Sequence, residues 1–137
     1  MKRVNISLPE KVKQKIIQHA EACYPAECCG VLFGDAEQED RIIDFVPTEN
    51  QSDRKHRHFT MDPLQLFTLE QQYRESGLLI AGFVHSHPDQ PAILSEEDKR
   101  DMLPELPYLI LEVRQGRATD LCCWRKSDGQ EEELAIN

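Results

Sequence analysis

The most constraining feature of the chain is the apolar run Leu78 to Val84, seven residues including Gly82, which leads directly into His85-Ser86-His87-Pro88. A run of this length suits a buried strand and falls well short of the about 20 residues a membrane-spanning helix needs. On a strand, residues two apart project to the same side. His85 and His87 therefore face one point in space. Neutral imidazole is a good ligand for zinc, but two histidines hold a metal poorly and need a third donor. Asp98, eleven residues after His87, is the candidate. The stretch Pro88 to Leu94 can turn the chain back, so that the first turn of a helix starting near Ser95 presents Asp98 to the histidines. The same residues have plainer readings, as strand-end histidines and as a Ser95-Glu96-Glu97-Asp98 capping box.

Three protein ligands leave one tetrahedral position open, the pattern of a catalytic rather than a structural zinc. That position suits a water, whose pKa a metal lowers to about 7. The water needs a nearby carboxylate that is not a ligand, to take its proton and pass it to a leaving amine. Glu27, between Pro25 and the apolar run Cys28 to Phe33, is the candidate, and its neighbours predict partial burial.

The flanking sequence alternates helix and strand signals with no repeat, which indicates one α/β or α+β domain over residues 1–137. Val4 to Leu8 reads as a first strand. Pro9 opens a helix that carries Val12, Ile16, Ile17 and Ala20 on one face and stops at Pro25. Cys28 to Phe33 is a buried strand ended by Gly34-Asp35. Asp35 to Asp40, with four acids in six residues, is a solvated hairpin tip before a strand at Arg41 to Val46. Pro47 to His58 is a loop containing the basic cluster Arg54, Lys55 and Arg57. It is either a solvated loop or a substrate-contacting one. Asp62-Pro63 starts a second helix, with Leu64, Leu66 and Phe67 as its apolar side and Gly77 as its C-cap. Tyr108 to Val113 and Ala118 to Arg125 pair through a Gln115-Gly116-Arg117 hairpin, and Ser127-Asp128-Gly129 turns into a last short strand.

Charge narrows the function classes. Sixteen Lys and Arg against twenty-five Asp and Glu give a net charge of −9. This argues against nucleic acid, whose phosphates require a basic face, and against anionic lipid. With 39% apolar and 30% charged residues the chain fills one core and stays soluble. The start of the chain lacks a signal-peptide core, which points to the cytoplasm. The five cysteines, Cys23, Cys28, Cys29, Cys122 and Cys123, are odd in number, and four stand in adjacent pairs. They read as small buried hydrophobes, with one of Cys28 and Cys29 near the candidate site. A four-cysteine zinc site would need Cys-x-x-Cys spacing, which is absent.

The order Glu27, then His85-x-His87, seven residues, and Ser95-x-x-Asp98 resembles the JAMM motif of the Mov34/MPN/PAD-1 metallopeptidase family. Pro25 to Gly30, His58 to Pro63 and Gly77 to Gly82 resemble its flanks. The resemblance implies a three-layer MPN, cytidine-deaminase-like α/β sandwich, a mixed sheet flanked by helices. It implies Zn²⁺ on His85, His87 and Asp98, with Glu27 as general base and then general acid. Ser95 would stabilise the oxyanion. The implied reaction is hydrolysis of a peptide or isopeptide bond after the C-terminal Gly-Gly of a ubiquitin-like or sulfur-carrier protein, for example release of cysteine from a carrier adduct. A deubiquitinase-like isopeptidase and a non-catalytic MPN scaffold are the alternatives. Leu94 stands where short bacterial members often carry proline, which predicts a looser loop ahead of Ser95.

Overall fold

The computed structural model describes residues 5–137. Its elements in chain order are β1 (Asn5–Ile6), α1 (Glu10–Cys23), β2 (Cys29–Asp35), β3 (Gln38–Thr48), α2 (Pro63–Arg74), β4 (Leu78–Pro88), α3 (Glu96–Asp101), β5 (Tyr108–Arg114), β6 (Arg117–Ser127) and β7 (Gln130–Ile136). The strands form one mixed sheet in the order β1-β7-β6-β5-β4-β2-β3. The β4–β5 and β1–β7 pairs are parallel and the others antiparallel. β4 is central, as its continuous apolar run requires. None of the described helices is long and apolar enough to cross a membrane.

Strand alternation sends successive side chains into two separate cores. Leu32, Phe45, Val84, Leu109 and Leu111 meet Val12, Ile16 and Ala20 of α1 on one face. Val31, Phe33, Phe83 and Ile110 lie on the other, under Leu66, Leu69 and Tyr73 of α2 and Met102 at the end of α3. Helices on both faces of the sheet make the three-layer sandwich. The β2–β3 pair packs tightly at Gly30, where a Cβ would run into the Phe45 ring and the Val46 carbonyl.

Several elements differ from the expectations. The first strand is only Asn5–Ile6, and Val4 lies outside the described residues. Pro9 is the N-cap of α1 rather than its first residue. β2 begins at Cys29 and includes Gly34 and Asp35, and β3 begins at Gln38. The hairpin tip is thus Ala36-Glu37, because ladder pairing extends through much of the acidic stretch. Pro47 and Thr48 belong to β3.

The start of α2 is as expected, with the Asp62 carboxylate accepting from Leu64 N–H at 3.0 Å. Its packed face is not. Leu64 and Phe67 are 70% and 59% exposed. The side toward the sheet is Leu66, Leu69 and Tyr73, and Tyr73 stacks on Phe33 with ring centroids 3.9 Å apart. Glu75 caps the helix, and Gly77 follows in the left-handed region at φ 77° that favours glycine.

Candidate metal centre and active site

His85 and His87 project with Phe83 from one face of β4, while Ser86 projects from the other. Both histidines are buried. The Nδ1 of His87 lies 2.8 Å from the carbonyl of Pro91. A carbonyl only accepts, so Nδ1 carries the proton and Nε2 presents its lone pair to the site. There His87 Nε2 lies 3.2 Å from His85 Nε2 and 3.1 Å from Asp98 Oδ2. His85 Nε2 is 3.2 Å from Asp98 Oδ1. The three side chains each offer one donor atom to a common centre.

This geometry fits a metal. Bonds of about 2.0–2.1 Å to a tetrahedral zinc separate neighbouring donor atoms by about 3.3 Å. The buried His85 Nδ1 has no hydrogen-bond partner among the described residues, so Nε2 is the atom through which this imidazole is engaged.

Electrostatics point the same way. Burial pushes the Asp98 carboxyl up, but the hydrogen bonds to His85 and His87 outweigh it and hold the group well below the usual carboxylate range. Burial lowers both imidazoles. It prevails at His85, whereas at His87 the bonds to Asp98 and Pro91 overcome it and raise the pKa. A carboxylate kept ionised among imidazoles is a ready cation site.

Asp98 reaches the histidines because Ser95 caps α3. Ser95 Oγ accepts from Asp98 N–H at 3.0 Å, and Ser95 N–H donates to Asp98 Oδ2 at 3.0 Å. The capping box and the His85-His87-Asp98 cluster therefore use one carboxylate. The Ser95 hydroxyl donates to no acceptor among the described residues. The loop ahead of it is well anchored, contrary to the expectation from Leu94. That side chain is only 8% exposed, packed in the core with Ala92 and Met102, and Trp124 Nε1–H donates to the Ala92 carbonyl at 3.1 Å. Burial of leucine does here what ring rigidity would do for proline.

Glu27 is 6% exposed and lines the cavities on both sides of the cluster. Burial first, then the charges of Asp98 and Glu97, raise its carboxyl to about 8, against a lowering by His87. Its segment is tied to β4 through Ser86, whose Oγ accepts from Cys28 N–H at 2.8 Å. It is tied to the basic loop through Asn50, whose Nδ2 donates to the Glu27 carbonyl at 3.0 Å. Asn50 Oδ1 also accepts from Ser52 and Thr60 N–H, which shapes the loop.

Ser86, Asn50 and Phe59, which stacks on His85 at 4.5 Å, were not singled out as site residues by the sequence. Asn50 lies in a loop with no periodicity, and only its burial reveals its part.

A cavity of about 210 Å³ lies beside the cluster, walled by Phe59, Met61, Phe83, Met102 and Tyr108 with the acids Glu97 and Asp101. A second of about 620 Å³ lies across Glu27, against His87, Pro91, Ile93 and Ser95.

A family model described as prokaryotic homologs of the JAB domain matches residues 9–126. The chain belongs to the prokaryotic JAB family. Solved structures share its fold. The solution structure of protein DSY2949 from Desulfitobacterium hafniense has a TM-score of 0.84 at 31% identity, covering 96% of this chain and 91% of that one. The JAB1/MPN domain protein AF2198 from Archaeoglobus fulgidus has a TM-score of 0.60 at 19% identity over the full length of both chains.

Among sequence relatives, this JAB chain is 37% identical over 108 residues to the tail tip assembly protein K of Escherichia phage N15. That match takes in 78% of this chain and 41% of the phage protein, so the chain spans less than half of that relative's length. It is 29% identical to a desampylase of Haloferax volcanii, over 83% of this chain and 84% of that one. It is 26% identical to a CysO-cysteine peptidase of Mycobacterium tuberculosis, over 89% and 83%.

Of the cysteines of this JAB chain, Cys28, Cys29 and Cys123 are buried as expected, whereas Cys23 and Cys122 are only partly buried. Cys29 pairs in register with His85 and so lies on the site face, whereas Cys28 enters the opposite core. Burial pushes their thiols up to about 11 and about 12. That is the reverse of what a reactive cysteine needs.

Proposed function

We propose that this chain is a zinc-dependent peptidase that hydrolyses the bond after the C-terminal Gly-Gly of a ubiquitin-like or sulfur-carrier protein, releasing a residue such as cysteine from a carrier adduct. The observation that carries this reading is the meeting of His85, His87 and Asp98 around one centre, with the buried Glu27 carboxyl lining the cavities beside it. The relatives named as a desampylase and a CysO-cysteine peptidase support the substrate class.

His85 Nε2, His87 Nε2 and a carboxylate oxygen of Asp98 hold the zinc, which when bound supplies Lewis-acid activation of the scissile carbonyl and of water. Glu27 takes the proton of the attacking water and delivers it to the leaving nitrogen. Its buried carboxyl lines the cavities on both sides of the cluster, where it can serve both steps. Ser95, whose hydroxyl proton is uncommitted in the cap, donates to the oxyanion that develops on the carbonyl oxygen. The carbonyl carbon gains the hydroxyl, the C–N bond breaks and the nitrogen gains hydrogen, with no covalent enzyme intermediate.

The test is metal content of the purified chain beside Asp98→Ala, followed by mass spectrometry of a carrier ending in Gly-Gly-Cys. About one zinc per chain, lost in the variant, with cleavage after the second glycine that fails in Glu27→Gln, is expected. A chain that takes up no zinc on reconstitution overturns the reading in favour of a scaffold. Cleavage only of a lysine-branched conjugate moves the activity to an isopeptidase.

A further inference from the structure

The basic loop is not accounted for by the chemistry above, and its placement is specific. Glu27 N–H donates to the Lys55 carbonyl at 2.6 Å, and His56 Nδ1–H donates to the Pro25 carbonyl at 3.1 Å. Both bonds fix the loop directly to the segment that carries Glu27. Arg57 follows in a turn closed by its own N–H on the Arg54 carbonyl at 3.0 Å. Arg54 is held by Glu97 at 3.4 Å. The Arg57 guanidinium, in contrast, makes no ion pair among the described residues, although the chain carries a net charge of −9. It lines both cavities beside Glu27.

The two cavities differ in charge. The smaller is walled by Glu97, Asp98 and Asp101 as well as Glu27, against Arg57 and His58, so its acids outnumber its cations. The larger has Glu27 as its one acid, with Arg57, His56 and the neutral Gln90 and Ser95 around it. An arginine with a free planar fork, set on a braced backbone beside the proposed general base, matches a carboxylate.

We propose that Arg57 binds the free α-carboxylate of the residue released, so that the enzyme removes a single C-terminal amino acid following Gly-Gly. This rests on the peptidase reading and sharpens it. The acyl side of the substrate lies in the smaller cavity, and the leaving residue lies in the larger one with its carboxylate on Arg57. A lysine side chain joined through its ε-nitrogen within a folded protein offers no carboxylate at that distance from the scissile bond.

The experiment compares two peptides with the zinc-loaded protein, one ending in Gly-Gly-Cys with a free carboxylate and the other with a carboxamide. The carboxylate is expected to be cleaved with a kcat/KM about 10- to 100-fold higher. Arg57→Gln abolishes that preference by slowing the carboxylate peptide alone, Arg57→Lys keeps part of it, and Lys55→Gln keeps all of it. Equal rates for the two peptides in the unaltered protein, or a preference that survives Arg57→Gln, overturns the inference while leaving the peptidase intact. If neither peptide is cleaved the peptidase reading fails, and calorimetric binding of the same two peptides then decides. Tighter binding of the carboxylate, lost in Arg57→Gln, supports the site, and equal binding overturns it.

Discussion

Ser86 and Cys28 exchange two hydrogen bonds, Cys28 N–H to Ser86 Oγ at 2.8 Å and Ser86 N–H to the Cys28 carbonyl at 3.3 Å. The residue between the two histidines is therefore bonded to the residue after the glutamate. The pair sets the Glu27 segment beside the histidine strand from the face opposite the cluster. Ser86→Ala leaves a buried N–H without its partner, which costs about 1–3 kcal/mol. We expect that loss in urea denaturation, together with reduced turnover and unchanged zinc content. Unchanged stability would show that the Oγ bond does not hold the segment.

Metal and fold are linked at Asp98. A ligand that binds only the folded chain stabilises it by about 2.7 kcal/mol at a hundred times its Kd. Zinc is expected to raise the Tm of the unaltered chain and chelator to reverse the rise. In Asp98→Ala both responses disappear, because one of the three donors is gone. A zinc-induced Tm rise of equal size in the variant would place the metal elsewhere.

Glu27 makes stability depend on pH in the metal-free protein. Burial raises its carboxyl to about 8 from an ordinary 4.5. Between these values the folded chain binds more protons than the unfolded chain, so stability falls as pH rises. Below the lower value both states are protonated and the effect vanishes. Above the upper value the full penalty remains, on the order of 5 kcal/mol for a shift from 4.5 to about 8. Glu27→Gln removes this ionisation. Urea midpoints measured from pH 5 to 9 are expected to show the variant gaining on the parent as pH rises. In the zinc-loaded form the same substitution should lower turnover about 10²- to 10⁴-fold while the metal stays bound.

The two sides of α2 should respond oppositely to substitution. Leu64→Lys and Phe67→Lys change exposed side chains and should alter stability by no more than about 0.5 kcal/mol. Tyr73→Ala removes the ring stacked on Phe33 and the hydroxyl bond to Asp44 at 3.2 Å. It should cost about 3 kcal/mol, seen as a lower urea midpoint.

Much of this protein was legible in one dimension where the cause is local. An apolar run seeks burial, so Leu78 to Val84 marked the central strand, although only Ala81 to Val84 of it is buried and Leu79 is 42% exposed. Alternation put His85 and His87 on one side of it. Side-chain capping acts over three residues, so Ser95 and Asp98 were readable as a helix start, as were Asp62 and Pro63. What the sequence could not rank was the three apolar residues of α2. Leu64, Leu66 and Phe67 are equally hydrophobic, and which of them turns inward depends on where Phe33 offers a surface. The acidic hairpin failed for a related reason, since β2 and β3 pair through backbone groups that charge does not disable. Only the tertiary structure decided that Leu94 anchors its loop, that Asn50 and Ser86 hold the Glu27 segment, and that Arg57 lines two cavities with no ionic partner among the described residues. These depend on distances between segments far apart in the chain, and such distances exist only once both cores have closed around the sheet.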